Sequence, residues 1–263
     1  MKLHIVPAST GLSWVKLGVK TFFRQPLAMS GLFFMFMAVV SVLSVVPVIG
    51  TAISLALVPA ATVGLMAASR EAVEGRFPMP VTLITAFRSG MDRARPMLML
   101  GGMYAGALLL VLGVAALMGP AGGTPVELAD GEITPEAMRT AFISQGMWAA
   151  MLAYVPVLMA FWHAPALVHW HGVSPGKSLF FSVMACWRNK GAMLVYTLGW
   201  VGVFMLTGLV MSLLGALLGG AGALSLIMYP MVLFMASMFH TSIYFTFRDS
   251  FVTDDANPVE PAV

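Results

Sequence analysis

The chain has 263 residues, of which 59% are hydrophobic and only 10% charged, with a formal net charge of +3 and a mean hydropathy of +0.91. Soluble domains carry about 25% charged residues, so the polar surface available here is too small to cover a water-soluble globule, and an integral membrane protein is the class that fits. The basic residues sit in small clusters between apolar runs, a topology signal that excludes a phosphate-binding face and leaves no nucleic-acid partner.

Residues 1–26 form a cytoplasmic N-terminal segment. No short apolar core with a small-residue cleavage site occurs in it, so the first span is expected to stay as an anchor. Over residues 10–25, Ser13, Lys16, Lys20 and Arg24 share one helical face, and Leu12, Val15, Val19, Phe22 and Phe23 fill the opposite one. A basic stripe over an apolar stripe predicts a helix lying at the membrane interface.

From Leu27 to Ser69 there is no charge. As one helix this run would measure about 65 Å, twice the ~30 Å of a hydrocarbon core. It therefore divides into spans at about 27–46 and 51–69, with a turn at Pro47-Val48-Ile49-Gly50. In the second span Ala52, Ala56, Ala60, Gly64 and Ala68 place a small residue at every fourth position. Such a seam admits close helix–helix approach, which predicts that this span is the most tightly packed.

Residues 70–95 are a charged loop with five arginines. Within it Leu83, Ile84 and Phe87 oppose Thr82, Thr85 and Ser89, which predicts a second, shorter interfacial helix. A third span covers about 96–118 and contains Gly102 and Gly106 as a GxxxG pair. The polar loop 119–139 carries Glu127, Asp130, Glu132 and Glu136 against Arg139.

A fourth span covers about 141–162, bent or loosened near Pro156 and Pro165. Between Ser178 and Asn189, the residues Leu179, Phe180, Val183, Met184 and Trp187 form an apolar arc opposite a small, polar arc of Ser178, Ser182, Ala185 and Asn189. This is the third predicted interfacial helix. The uncharged run 191–247 supplies spans at about 191–218 and 223–247, broken at Gly219-Gly220-Ala221-Gly222. A short acidic tail, 249–263, is expected to be disordered and cytoplasmic.

The fold class that follows is all-α, a polytopic bundle of six transmembrane helices (residues 27–248) with three amphipathic interfacial helices on the cytoplasmic side. Of the fourteen Lys and Arg residues, all but Arg139 fall on one side of this topology. The positive-inside rule places that side, and both termini, in the cytoplasm. Aligned on Arg24, Arg88 and Arg188, the three interfacial segments share an aromatic residue just before the arginine (Phe23, Phe87, Trp187). They also share an aliphatic residue five positions before it (Val19, Leu83, Val183) and a polar one just after (Gln25, Ser89, Asn189). Either a duplication or convergence on interfacial chemistry accounts for that pattern.

Candidate chemistry is sparse. Cys186 is the single cysteine, so neither an intramolecular disulfide nor a cysteine-based zinc site is available. His169 and His171 are the metal candidates, with His163 nearby, but no carboxylate lies close in sequence to complete a shell. Histidines beside Trp162, Trp170 and Trp187 read more simply as an aromatic belt. No nucleophile motif or nucleotide-binding loop occurs, and the spans contain no acidic residue of the sort that proton-coupled carriers use. No cofactor is implied.

Three stretches support a comparison with a known family. They are Phe161-Trp162-His163-Ala164-Pro165-Ala166-Leu167, then His171-Gly172-Val173-Ser174-Pro175, then Ser182-Val183-Met184-Ala185-Cys186-Trp187-Arg188-Asn189. Together they resemble a proteobacterial family of six-span inner-membrane proteins with a WxAPALV…HGxSP…ACxRN pattern. Gly64-Leu65-Met66, Glu74-Gly75-Arg76 and Thr85-Ala86-Phe87-Arg88 are similar to that family's first half. The resemblance covers about residues 12–250, and His163, His169 and Trp170 depart from it. It implies a fold and a bacterial inner-membrane location, with no reaction assigned. The expected role is non-enzymatic, a scaffold or regulatory membrane component whose partners are the bilayer and another membrane protein or a second copy. The alternative is a small-molecule transporter. A mitochondrial-carrier identity is excluded, because the Pro-x-Asp/Glu-x-x-Lys/Arg turns are missing.

Overall fold

The computed structural model describes residues 2–47, 49–118, 144–217 and 221–252. The expected loop 119–139, the first residues of the expected fourth span and the tail beyond Val252 lie outside them. Among the described residues, six helices are long and apolar enough to cross a membrane.

Helix α1 (Thr10–Arg24) precedes the hairpin of α2 (Pro26–Ser44) and α3 (Ile49–Val73). A 3₁₀ turn (Pro80–Ile84) and the one-turn α4 (Thr85–Arg88) then lead to α5 (Met91–Met118). The second half comprises α6 (Gln145–Trp162), α7 (Ala164–His171), α8 (Pro175–Arg188), α9 (Lys190–Leu217) and α10 (Ala221–Ser250). A two-residue strand β1 (Lys2–Leu3) pairs antiparallel with β2 (Phe251–Val252).

Three differences from expectation have physical causes. The apolar face of α1 is divided: Val15 and Phe22, with Trp14 and Gly18, are buried against α9 and α10, whereas Leu12 and Phe23 are exposed. Glycine makes this possible. A Cβ on Gly18 would lie 2.3 Å from the Cβ of Ser242, and one on Gly11 would lie 2.2 Å from the Ala192 carbonyl oxygen. The basic face of α1, with Lys16 and Lys20, is exposed.

The second expected interfacial helix is only a 3₁₀ turn followed by a single α-turn. It folds back onto α3, where a Cβ on Gly64 would meet the Leu83 carbonyl oxygen at 2.5 Å. The last helix also runs further than expected. It includes Asp249 and Ser250, and Phe251 and Val252 are paired, so the start of the expected tail is ordered structure.

The fourth membrane helix breaks at His163, between the two prolines. Pro156 sits inside α6, and Pro165 occupies the first turn of α7, where its missing N–H costs nothing. Gly172, at φ +64°, ends α7 in the left-handed region that glycine adopts without penalty.

The bundle interior is partly polar, as an apolar solvent allows. Ser69, Ser237, Thr241, Ser242 and Thr246 are buried, and the hydroxyls of Ser69, Thr241, Ser242 and Thr246 donate to carbonyls one turn back in their own helices. Ser242 also accepts from Trp200 Nε1 at 3.1 Å and lies 2.6 Å from the Tyr196 hydroxyl. Its single proton is directed at the Phe239 carbonyl, so Tyr196 is the donor of that contact. Large apolar side chains such as Phe34, Leu110, Leu152 and Met205 point outward.

The small-residue seam of α3 meets more than one neighbour. Ala60, Gly64 and Ala68 are buried, and Ala52 and Ala56 are half-buried. Within its membrane window α3 is 50% buried, more than any other span. Against Ala56 lies Gly101 of α5, whose Cβ would sit 2.1 Å from the Ala56 carbonyl oxygen, whereas Gly102 and Gly106 face open space. The GxxxG pair therefore points away from the seam, and the position before it makes the contact. Gly101→Ala should lower thermal stability in detergent by about 1–3 kcal/mol, the usual cost of overpacking. Gly102→Ala should leave stability unchanged or slightly raised. Equal stabilities for the two variants would contradict this packing.

Candidate functional site

The second-half motif stretches follow one another closely in sequence and fold back on one another through α6, α7 and α8. The break between α6 and α7 leaves backbone groups without helical partners, and α8 supplies them. Ser182 Oγ donates to the Met159 carbonyl at 2.7 Å and accepts from the His163 N–H at 2.9 Å. Cys186 Sγ reaches the same Met159 carbonyl at 3.8 Å. Burial pushes the Cys186 thiol up to about 12, so it stays protonated at neutral pH and acts as a small apolar residue.

The face of α8 toward the protein is thus the small, polar one: Pro175, Ser178, Ser182, Ala185 and Cys186 are buried. Its apolar arc faces outward, with Phe180 and Trp187 about 60% exposed. Lys190 lies over the Trp187 ring at 5.6 Å. This polarity is inverted relative to a helix on a soluble core and matches the expected interfacial placement.

Asn189 follows the last residue of α8 and is almost fully buried. Its Oδ1 accepts from the Val6 N–H at 2.9 Å. Its Nδ2 donates to the His4 carbonyl at 3.1 Å and lies 3.4 Å from Ser250 Oγ. One carboxamide therefore joins the N-terminal segment, the α8–α9 junction and the end of α10. The His4 N–H to the Ser250 carbonyl (2.9 Å), the β1–β2 pair and Trp14 Nε1 to Asp249 Oδ2 (2.8 Å) complete a clasp between the N-terminal segment and the end of α10 with β2.

The three aligned arginines Arg24, Arg88 and Arg188 each end a helix. Arg24 donates to the Val73 carbonyl at the end of α3, and Gln25 Nε2 donates to the Arg76 carbonyl. Gln25 and Asn189, at equivalent positions of the repeat, thus both bond backbone of distant segments, whereas Ser89 donates to the Thr85 carbonyl one turn back. Arg93, which is outside the repeat, donates to the Val168 carbonyl near the end of α7, where a cation also complements the helix dipole. Pro165 and Pro175 open α7 and α8.

The histidines do not converge. His163 is buried against the rings of Phe247 and Phe251, at 6.1 and 5.5 Å. His171 lies against Phe247 at 5.8 Å, and His169 turns toward Trp170. Among the described residues no group of three His, Cys, Asp or Glu is placed to hold a metal. His163 and His169 are buried within the protein, so their ring contacts are internal packing.

Two cavities open among the spans. The larger, about 420 Å³, lies between α1, α9 and α10 and is apolar apart from Thr207, whose hydroxyl meets Met235 Sδ at 3.5 Å. The second, about 250 Å³, lies between α3, α5, α6 and α10 and includes Thr62, Tyr104, Tyr154, Trp162 and His240.

A protein of Burkholderia thailandensis described as a probable inner membrane protein is 38% identical over 256 residues, covering 95% of this chain and 94% of the relative. The chain belongs to that family. It is a multi-pass inner-membrane protein whose apolar helices are surrounded by lipid. No protein-family model matches, and no solved structure matches.

Ser182, Ser242, Tyr104 and Tyr154 were not singled out as contact residues by sequence reasoning. The available signal was their polarity at positions facing the bundle interior. Asn189→Ala should lower stability in detergent by about 1–3 kcal/mol, because it leaves the Val6 N–H and the His4 carbonyl without partners. Asn189→Asp should recover only part of the loss, since it keeps the acceptor and loses the donor. A melting temperature unchanged in both variants would show that the clasp carries no stability.

Proposed function

We propose that the protein is a non-enzymatic scaffold or regulatory component of the inner membrane, with both termini in the cytoplasm. The distribution of Lys and Arg supports that orientation. The role calls for a protein partner, either another membrane protein or a second copy of the chain.

The observation that carries this reading is the clasp. Carriers that work by alternating access rock one part of the bundle against another. Here the hydrogen bonds of Asn189, the Trp14–Asp249 bond and the β1–β2 pair join the N-terminal segment, α1, the end of α8 and the end of α10. Opening the bundle at that end would break them together. A fixed framework suits a component that works by contact.

The small-molecule permease has one observation on its side, the cavity between α3, α5, α6 and α10, together with prolines inside α3, α6 and α10. Distance measurement separates the readings. Spin labels at Arg76→Cys and Lys177→Cys in a Cys186→Ala background should give one narrow distance distribution in nanodiscs. Two resolved distance populations would favour the permease.

A further inference from the structure

We infer that the cavity between α3, α5, α6 and α10 is a binding site for a small neutral aromatic molecule carrying one O–H or N–H donor, recognised by His240. This goes beyond the scaffold reading and does not depend on the clasp.

The polar groups define the recognition. His240 Nδ1 lies 2.8 Å from the Ala236 carbonyl oxygen. A carbonyl only accepts, so the imidazole proton is on Nδ1 and Nε2 carries a lone pair. The ring is held in place by Phe33 at 5.0 Å and Phe239 at 5.7 Å. That leaves a fixed acceptor on a cavity wall about 15 Å along α10 from its C-terminal end.

Tyr104 and Tyr154 line the same space, and each brings a phenolic hydroxyl able to donate. Thr62 has already directed its proton to the Val58 carbonyl at 2.9 Å and remains an acceptor. The site therefore offers a ligand one firm acceptor and a phenolic donor, within membrane depth.

The walls set the rest of the chemistry. Tyr104 and Phe161 meet edge to face at 5.0 Å, and Trp162 is fixed by its Nε1–H bond to Thr246 Oγ1 at 3.0 Å. Aromatic walls favour a planar ring. Among the described residues that line it there is no Lys, Arg, Asp or Glu, so a charged ligand would be desolvated without a counter-ion. A space of about 250 Å³ suits one or two fused rings. An acyl chain would fill the volume but would leave Nε2 and the phenolic proton unpaired, which is the costly outcome in a water-free site.

The test uses the full chain in nanodiscs and two probes of the same ring, 4-fluorophenol and fluorobenzene, followed by fluorine NMR against empty nanodiscs. Saturable binding of 4-fluorophenol is expected, with fluorobenzene weaker by about three- to tenfold, the value of one hydrogen bond. His240→Phe should bring 4-fluorophenol down to the affinity of fluorobenzene. Leu158→Trp, which fills the cavity from a lining position, should abolish the saturable component for both probes; it decides the matter if His240→Phe does not fold. No saturable binding, equal affinity for the two probes, or binding unchanged by Leu158→Trp would each overturn the inference. None of these outcomes alters the distance distribution that tests the scaffold reading.

Discussion

The constraint on which this structure rests is the solvent. A hydrocarbon core offers no hydrogen bonds, so every polar group at that depth must find its partner inside the protein. The chain meets this by placing small polar side chains between helices and large apolar ones outside. Ser242 is the clearest case, because it joins α10 to Tyr196 and Trp200 of α9 and packs where α1 has Gly18. Ser182 serves the break at His163 in the same way, and Asn189 serves the N-terminal segment and the end of α10.

The same rule accounts for the motif. Pro165 and Pro175 start helices, Gly172 ends one, Ser182 and Cys186 bond or approach the backbone at the break before α7, and Asn189 bonds the backbone of His4 and Val6. The motif is thus a packing device joining α6, α7, α8, the N-terminal segment and the end of α10. Most of its polar residues bond within this network, while the ring nitrogens of His163 and Nδ1 of His169 are buried without hydrogen-bond partners.

Spans were legible in the sequence because charge-free runs have a length that the bilayer sets. The pairing at Pro47 and the break between α9 and α10 followed from arithmetic on those runs. Which way an amphipathic face points was not legible. The apolar stripe of α1 and that of α8 look alike as patterns, yet Phe22 is buried by the last two spans and Trp187 is exposed. The difference lies in Gly11 and Gly18, which let α9 and α10 come close, and only the tertiary fold shows what they meet. The clasp was hidden for a related reason. Lys2, Leu3 and Asn189 are brought to residues 250–252 by the closing of the bundle, and no local pattern encodes that distance.

An accessibility scan with single spin labels from residue 178 to 189 tests this polar-inside arrangement most directly. Lipid accessibility should follow a period near 3.6, peaking around Phe180, Val183 and Trp187 and falling at Ser178, Ser182 and Ala185, which are buried against the protein. Uniform water accessibility along the segment, or lipid contact at Ser178 and Ser182, would contradict it.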